Sequence, residues 1–302
     1  MKLAKLLLYI LVLIGIFFGG YFRGKNQPTP QPPNQLPNPN PTTSSTQLSI
    51  PEFSNSQLQN RNVYIPILMY HYIRDNIDCE KDSLGCSLSV APEKFSEQIA
   101  WLKANGYQTA NFSQIHDTKY MIQNTKKSVI LTFDDGYTDF YTIAYPILRA
   151  NNFTATVFMI TKRIGTDGFL TESQIQELSE NGIEFGSHTV SHVNMSIADE
   201  SRQYYEANTS QKTLEKILGK PIISFAYPSG FNSPISLTTL KSLKYIYAVT
   251  TAEAIANLKT SNPLLLPRLR ISGSLTQENF EFLVQNGYRQ KSTTTTTESV
   301  VQ

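Results

Sequence analysis

Short apolar runs alternate with amphipathic segments along residues 61–290. Segments with apolar residues at helical spacing predict helices at 92–105, 138–150, 171–181, 199–218, 234–243 and 276–286. The apolar runs predict buried strands at 63–69, 129–133, 155–160, 183–186, 222–227, 247–251 and 268–271. This alternation predicts an α/β fold in which βα units surround a parallel sheet or barrel.

Polar residues directly follow several of the predicted strands. His71, the adjacent Asp134 and Asp135, His188 and Tyr227 all fall at the carboxyl ends of strands. In β/α barrels this rim carries the chemistry. We therefore expect these side chains to lie near one shared site.

The composition changes on both sides of this region. Lys2 and Lys5 are followed by an apolar stretch within residues 1–25, which predicts a signal anchor or a cleaved signal peptide. The lack of an Ala-x-Ala-like site favours the anchor. Residues 26–60 are rich in Pro, Gln, Asn and Thr and predict an extended linker. Residues 61–290 are expected to be one folded domain, and residues 291–302 a disordered Thr-rich tail.

Charge and cysteine content narrow the classes of partner. A formal net charge of +2, with basic residues scattered along the chain, argues against nucleic acid. Cys79 and Cys86 lie close enough in a polar segment to form a disulfide outside the cytoplasm, and a pair of free thiols is the alternative. We expect an extracytoplasmic monomer that residues 1–25 hold at the cytoplasmic membrane, or a secreted one.

Two motifs provide the candidate chemistry. The strand at 129–133 ends in Asp134 and Asp135, and two neighbouring carboxylates near a core repel each other unless solvent or a cation lies beside them. His188 and His192 are spaced i, i+4, which on a helical turn places both imidazoles on one face. Taken alone, the pair of aspartates is explained by a capped turn, and the pair of histidines by a surface helix. Together they predict a metal site, because imidazole and carboxylate are the ligand types of zinc centres.

The segment 132–136, Thr-Phe-Asp-Asp-Gly, followed by 188–192, His-Thr-Val-Ser-His, resembles the polysaccharide deacetylase family, the NodB-type carbohydrate esterases. The resemblance implies a distorted (β/α)7-type barrel and a metal-dependent hydrolase that removes acetyl groups from polysaccharide. It implies that Asp134 is the general base and that Asp135, His188 and His192 bind a divalent metal. Zn²⁺ is the expected metal, with Co²⁺ or Ni²⁺ as alternatives.

His71 is the candidate general acid. Many family members carry this histidine near the C-terminus, but no histidine follows His192 here. The segment 66–73, Pro-Ile-Leu-Met-Tyr-His-Tyr-Ile, instead resembles the N-terminal motif of the circularly permuted branch, similar to the poly-β-1,6-N-acetylglucosamine N-deacetylases of biofilm systems. The resemblance implies that His71 protonates the departing amine; a histidine packed against the tyrosines is the alternative.

A third segment departs from the family pattern. Residues 224–230 resemble the groove-forming motif, which implies a supporting or substrate-contacting role for Tyr227 and Pro228, but Ala226 stands where arginine is usual. We take Arg268 as the candidate replacement that holds Asp134, with solvation of the strand end as the alternative. The resemblance also implies an oxyanion donor in the backbone near Tyr137.

The function we expect is hydrolysis of acetamide groups on N-acetylglucosamine residues of an extracellular polysaccharide. Deacetylation of N-acetylglucosamine in peptidoglycan, and removal of O-acetyl groups, use the same chemistry and remain open. From a different class, a non-catalytic carbohydrate-binding wall protein would need neither the base nor the acid. A glycoside hydrolase would need two carboxylates about 5–9.5 Å apart across a bond, unlike adjacent residues on one strand end.

Overall fold

The computed structural model describes residues 63–75, 77–116 and 127–287. The helices in these ranges are α1 (Ser83–Leu88), α2 (Pro92–Ala104), α3 (Phe112–His116), α4 (Tyr145–Ala150), α5 (Glu172–Glu180), α6 (Glu200–Leu218), α7 (Pro234–Ser242) and α8 (Gln277–Asn286). The strands are β1 (Tyr64–Ile65), β2 (Ile67–Tyr70), β3 (Tyr72–Ile73), β4 (Ser89–Val90), β5 (Tyr107–Ala110), β6 (Lys127–Phe133), β7 (Thr156–Met159), β8 (Glu184–Ser187), β9 (Ser224–Ala226), β10 (Tyr247–Val249), β11 (Ala256–Asn257) and β12 (Leu269–Arg270).

The main sheet is parallel and curled. Its strand order is β10-β9-β8-β7-β6-β2-β12, with β5 also paired to β6. Residues 263–271 connect the two ends of this order, because Leu266 donates a backbone hydrogen bond to Ala248 in β10 and Ile271 donates one to Met69 in β2. The expected α/β class is confirmed, and the curled sheet is consistent with a (β/α)7 barrel.

Local sequence signals define the ends of the helices between these strands. Thr171 and Gln174 form a capping box at the start of α5, which satisfies backbone donors that the first turn leaves unpaired. Asp199 caps α6 by accepting a hydrogen bond from the backbone N–H of Arg202, and Gly219 ends α6 in a left-handed conformation with φ of 66°. These helices therefore begin and end close to the predicted positions.

The structure corrects some of the predicted elements. The predicted helix at 138–150 is divided into a π-helical turn, Phe140–Ala144, followed by α4. Pattern reading missed the short elements α1, α3, β3, β4, β5 and β11, because two to six residues are too few to display a period.

Cys79 and Cys86 form a disulfide that closes the loop containing the start of α1. The predicted segments 1–25 and 291–302, and the linker at 26–60, lie outside the described residues. Within the described ranges, no helix has both the length and the apolar character needed to span a membrane.

An aromatic cluster packs α2 against the centre of the sheet. Phe95 of α2 makes edge contacts with Tyr70 and Phe133, whose rings stack on each other at a centroid distance of 5.2 Å. Phe133 also contacts Phe140 edge-on at 4.8 Å. All four rings are buried, and Phe133 immediately precedes Asp134, so this packing fixes the strand end that carries the two carboxylates.

We expect Phe95→Ala to lower the free energy of unfolding by about 3–5 kcal/mol, because it removes a fully buried ring and leaves a cavity. Denaturant titration measures the loss. Tyr204→Ala on α6 is the control, since that side chain is 48% exposed and its removal should change stability by less than about 1 kcal/mol. Equal losses of unfolding free energy in Phe95→Ala and Tyr204→Ala would contradict the contribution of the aromatic cluster to stability.

Candidate functional site

The chain turns sharply after β6 and directs the two adjacent carboxylates differently. Asp135 has a left-handed backbone with φ of 73°, and Gly136 follows with φ of 85°. A Cβ atom on Gly136 would also displace the flexible end of the Met159 side chain. The left-handed conformation is therefore the main reason that glycine suits this turn.

Asp134 forms a two-pronged ion pair with Arg268. Nη1 of Arg268 lies 2.7 Å from Oδ1 of Asp134, and Nη2 lies 2.7 Å from Oδ2. The guanidinium also donates to the hydroxyl of Thr132 at 3.0 Å and to the carbonyl of Thr250 at 2.9 Å. Arg268 is completely buried, so these four contacts satisfy a charge that has no access to water.

The ion pair determines the protonation state of Asp134. Burial alone would raise the pKa of this carboxyl, but the charge and hydrogen bonds of Arg268 outweigh burial and hold the pKa well below its ordinary value. Asp134 is therefore ionised near neutral pH.

The two histidines do not lie on a helix, and this part of the sequence prediction is wrong. His188 directly follows β8, and the chain then forms a turn in which Thr189 and His192 have φ of 65° and 61°. The hydroxyl of Thr189 accepts a hydrogen bond from the backbone N–H of His192 at 2.9 Å. The turn nevertheless brings the two imidazole rings to a centroid distance of 4.9 Å.

Asp135, His188 and His192 form a compact group of potential metal ligands, with all ligand atoms within 4.8 Å of one another. Oδ1 of Asp135 lies 3.5 Å from Nε2 of His188 and 3.7 Å from Nε2 of His192. Tetrahedral zinc places such ligand atoms about 3.3–3.5 Å apart, given bonds of about 2.0–2.2 Å. The two Asp135 distances are therefore close to this separation, and the group is compact enough that a zinc-sized cation could contact all three side chains.

Two further features favour a cation at this point. Oδ1 of Asp135 is buried and has no hydrogen-bond partner among the described residues, which is costly for a carboxylate unless an ion compensates. Nδ1 of His188 lies 2.7 Å from the carbonyl oxygen of Ala226. This contact places the ring proton on Nδ1 and leaves the lone pair of Nε2 directed at the group.

His71 lies next to the carboxylate that Arg268 holds. Its Nε2 is 3.9 Å from Oδ2 of Asp134, and 13% of its side chain is exposed. Burial lowers the pKa of His71 below its ordinary value, although the carboxylates of Asp134 and Asp135 act in the opposite direction. The N-terminal strand β2 and the central strand β6 thus place an imidazole and a carboxylate side by side.

The remaining predicted residues occupy two kinds of position. Tyr137 lies at the cavity, where its ring stacks on Tyr72 at a centroid distance of 3.7 Å. Tyr227 and Pro228 are buried and are not among the residues that line the cavity. Tyr227 packs edge-on against Phe225. Its burial and this contact indicate that Tyr227 supports the packing beneath the cavity and does not itself line the cavity.

A cavity of about 650 Å³ opens over these groups. Sequence patterns had not identified several of the residues that form it. Some come from the disulfide-closed loop and some from the segments after β7 and in β12. Its lining consists of His71, Leu84, Leu88, Asp134, Asp135, Tyr137, Ile160, Lys162, Arg163, Thr166, Phe169, His188, Ser191, His192, Ser229, Thr251 and Arg270.

Glu206 on α6 holds the turn that carries the two histidines. Its side chain is completely buried, and its Oε2 accepts hydrogen bonds from the backbone N–H groups of Val190 and Ser191, both at 2.8 Å. Its Oε1 accepts the hydroxyl of Ser191 and pairs with Arg202, both at 2.6 Å. Four of the six residues that α6 buries are polar, so the helical pattern carried no signal that set Glu206 apart.

We expect Glu206→Ala to weaken Zn²⁺ binding about 10- to 100-fold, because loss of a residue that orients metal ligands has effects of this size. Competition with a chelating dye measures the affinity. Glu206→Gln keeps the shape of the side chain and one acceptor oxygen, so this variant should lose less Zn²⁺ affinity than Glu206→Ala. Unchanged affinity in a folded Glu206→Ala protein would contradict a dependence of the histidine turn on this carboxylate.

Comparisons with known proteins agree with this geometry. The family model described as polysaccharide deacetylase matches residues 122–248. This range holds Asp134 and the three potential metal ligands but neither His71 nor Arg268. A poly-β-1,6-N-acetyl-D-glucosamine N-deacetylase of Staphylococcus aureus (strain MRSA252) is 30% identical over 221 residues, which cover 67% of this chain and 74% of that protein.

Two solved structures are similar over the folded region. The Streptococcus pyogenes deacetylase PplD, solved in complex with acetate, is 33% identical with a TM-score of 0.69, covering 74% of this chain and 99% of that chain. A polysaccharide deacetylase from Bacillus cereus is 31% identical with a TM-score of 0.66, and the match covers 74% of this chain and 69% of that chain. The chain therefore belongs to the polysaccharide deacetylase family of NodB-type carbohydrate esterases and is homologous to poly-β-1,6-N-acetylglucosamine N-deacetylases.

Proposed function

We propose that this deacetylase is metal-dependent and hydrolyses acetamide groups on N-acetylglucosamine residues of an extracellular polysaccharide. The observation that carries the proposal is the division of the two adjacent carboxylates. Asp134 is held by Arg268. Asp135 instead faces two imidazoles, and its buried Oδ1 has no hydrogen-bond partner in the described part of the chain. One carboxylate is therefore available to move a proton while its neighbour binds a cation.

Asp135, His188 and His192 would hold the cation, with Zn²⁺ as the proposed metal and Co²⁺ or Ni²⁺ as alternatives. When bound there, a divalent cation supplies Lewis-acid chemistry that acidifies water and polarises the acetyl carbonyl. Three protein ligands are the number that catalytic zinc sites use, which leaves one position for water or substrate.

The protein residues supply the proton transfers. Asp134 takes a proton from the attacking water, and the C–N bond then breaks as a proton reaches the departing nitrogen. His71 is the proposed donor of that proton, because its Nε2 lies 3.9 Å from Asp134 and can receive the proton that Asp134 has collected. The products are acetate and an amino sugar that carries the remaining proton as an ammonium group, so all atoms and charges are accounted for. A backbone N–H near Tyr137 is proposed to stabilise the oxyanion.

The arrangement disfavours the competing classes of function. A carbohydrate-binding wall protein would gain nothing from a buried, ionised Asp134 beside a titratable imidazole. A glycoside hydrolase would place its two carboxylates across the scissile bond, whereas here one is already paired with Arg268. The homologous Staphylococcus aureus enzyme is named for poly-β-1,6-N-acetyl-D-glucosamine, which supports an N-acetylated polymer. Peptidoglycan and O-acetylated polysaccharide remain the alternatives.

We also propose that the enzyme acts as a monomer outside the cytoplasm. The disulfide between Cys79 and Cys86 supports this location, since such bonds persist in oxidising compartments. Residues 1–25 would hold the domain at the cytoplasmic membrane and residues 26–60 would separate it from the surface. Retention of the intact chain in membranes, compared with release after deletion of residues 1–25, tests the anchor.

We expect Asp134→Asn to abolish acetate release from an N-acetylglucosamine oligomer while metal remains bound, because the amide cannot accept the proton. His188→Ala should lose both activity and metal, since it removes a ligand. Acetate assay and elemental analysis measure the two effects, with a chelator and Zn²⁺ re-addition as controls. Normal turnover by Asp134→Asn would remove the base assignment.

We expect Arg268→Gln to lower kcat by about 100-fold or more without loss of bound metal, because Asp134 loses the guanidinium that orients it. The protein should also become less stable by about 3–5 kcal/mol, since an unpaired buried carboxylate remains. Arg268→Lys keeps the charge but not the planar fork. Its kcat should therefore lie between the kcat of the wild-type enzyme and that of Arg268→Gln. Loss of metal in a folded Arg268→Gln protein would instead indicate a role in the metal group.

A further inference from the structure

His71 lies between two strands that belong to different sheets. Before it, β2 pairs with β6 in the main sheet, where Tyr70 lies opposite Phe133. After it, β3 pairs with β4 in a two-stranded sheet, where Tyr72 lies opposite Ser89. The position of the imidazole therefore depends on how the backbone is held on both sides of this change.

The segment that begins with Asp134 holds the backbone on both sides of His71. The backbone N–H of Asp134 donates to the carbonyl of Tyr70 at 3.0 Å. The backbone N–H of Ile73 donates to Oδ2 of Asp139 at 3.1 Å. The same short segment that carries the proposed base thus brackets the proposed acid with two hydrogen bonds.

The two sides of His71 differ in how firmly the core fixes them. Tyr70 is fully buried, and its hydroxyl donates to the side chain of Gln98 at 2.9 Å. The strand that follows His71 has two residues, so it depends more on side-chain contacts. Ile73 is also fully buried, and loss of the Asp139 acceptor would leave a buried backbone N–H unpaired.

The carboxyl of Asp139 serves this strand rather than its own turn. Asp139 directly precedes the π-helical turn Phe140–Ala144, yet its side chain makes no capping hydrogen bond there. Burial raises the pKa of Asp139 to about 7, although the hydrogen bond from Ile73 and the charge of Arg74 act in the opposite direction. The carboxyl is therefore only partly ionised near neutral pH, and an asparagine amide is a close replacement for it as an acceptor.

The separation of the proposed acid and base is sensitive to this contact. Nε2 of His71 lies 3.9 Å from Oδ2 of Asp134, whereas proton transfer needs heavy atoms about 2.6–3.2 Å apart. A movement of about 1 Å closes this gap, and a displacement of about the same size in the other direction separates the pair. Misplacement of about 1 Å can lower turnover about 100-fold.

We propose that Asp139 is a positioning residue that places His71 for proton transfer to the departing amine by holding the backbone of Ile73. The proposal rests on the deacetylase function and adds a residue to its machinery. Asp139 is not among the residues that line the cavity, so it acts through His71 and not on the substrate. Its loss should therefore impair the step that needs an acid and spare the others.

The test compares two substrates of the Zn²⁺-loaded enzyme. An N-acetylglucosamine oligomer needs a proton on its leaving nitrogen, whereas 4-nitrophenyl acetate releases a phenolate that needs none. We expect Asp139→Ala to lower kcat for the oligomer about 10- to 100-fold, with kcat for the ester within about twofold of the wild-type value. KM for the oligomer and bound metal should stay unchanged. Asp139→Leu fills the space without accepting a hydrogen bond, so it should behave alike and replaces Asp139→Ala if that protein does not fold.

Three controls separate positioning from a general effect on structure. Asp139→Asn keeps an acceptor oxygen for Ile73 and should restore kcat for the oligomer to within about threefold of the wild-type value. Tyr141→Phe removes a hydrogen bond to Glu177 from the same π-helical turn and should leave both activities unchanged. In a His71→Ala protein, Asp139→Ala should cause no further loss, because the imidazole through which it acts is missing.

The outcomes separate this proposal from the deacetylase function. Equal losses with the oligomer and the ester in a folded, metal-loaded Asp139→Ala or Asp139→Leu protein overturn the positioning role and leave the deacetylase intact. Unchanged kcat for the oligomer, failure of Asp139→Asn to restore it, or a further loss in the His71→Ala protein does the same. Absence of acetate release from the oligomer by the Zn²⁺-loaded wild-type enzyme overturns the proposed function, and this inference with it.

Discussion

The buried ion pair between Arg268 and Asp134 is the interaction on which the rest of the site depends. Its guanidinium contacts Asp134 and Thr132 at the end of β6 and the carbonyl of Thr250 just beyond β10. Arg268 itself lies in the segment that connects the two ends of the sheet order. Because a charge without access to water must be paired, the fold that buries Arg268 also brings Asp134 into contact with it. The same contact keeps Asp134 ionised.

The turn after β6 converts one strand end into two different environments. The left-handed conformation of Asp135 and the glycine that follows it direct neighbouring carboxylates to separate partners. Asp134 has a permanent partner in Arg268, whereas Oδ1 of Asp135 has none among the described residues. Such a buried oxygen beside two imidazoles destabilises the empty protein and favours binding of a cation. Glu206 contributes by fixing the histidine turn from the opposite side.

Much of this organisation could be predicted from the sequence, for identifiable physical reasons. Alternating strand and helix patterns located β6, β8 and α6, since long or strongly apolar elements display their period. Asp135, His188 and His192 were selected as candidate ligands because two motifs with few alternative partners matched one chemistry, and the structure brings the three side chains together. Arg268 was selected from charge and position alone, and the structure places it 2.7 Å from Asp134. The helical geometry assumed for His188 and His192 was wrong, because the spacing is equally compatible with a turn that has left-handed residues. Glu206 was missed because its relevance depends on contacts between distant segments.

The central claim is that a carboxylate and two imidazoles meet at one cation while Arg268 holds the adjacent carboxylate. Anomalous X-ray scattering from crystals of the Zn²⁺-loaded protein, recorded at the zinc absorption edge, tests it most directly. The account predicts one strong peak about 2.0–2.2 Å from Asp135, His188 and His192, with the Arg268–Asp134 ion pair intact. A peak bound by other side chains, or zinc coordinated by Asp134 after displacement of Arg268, would contradict it.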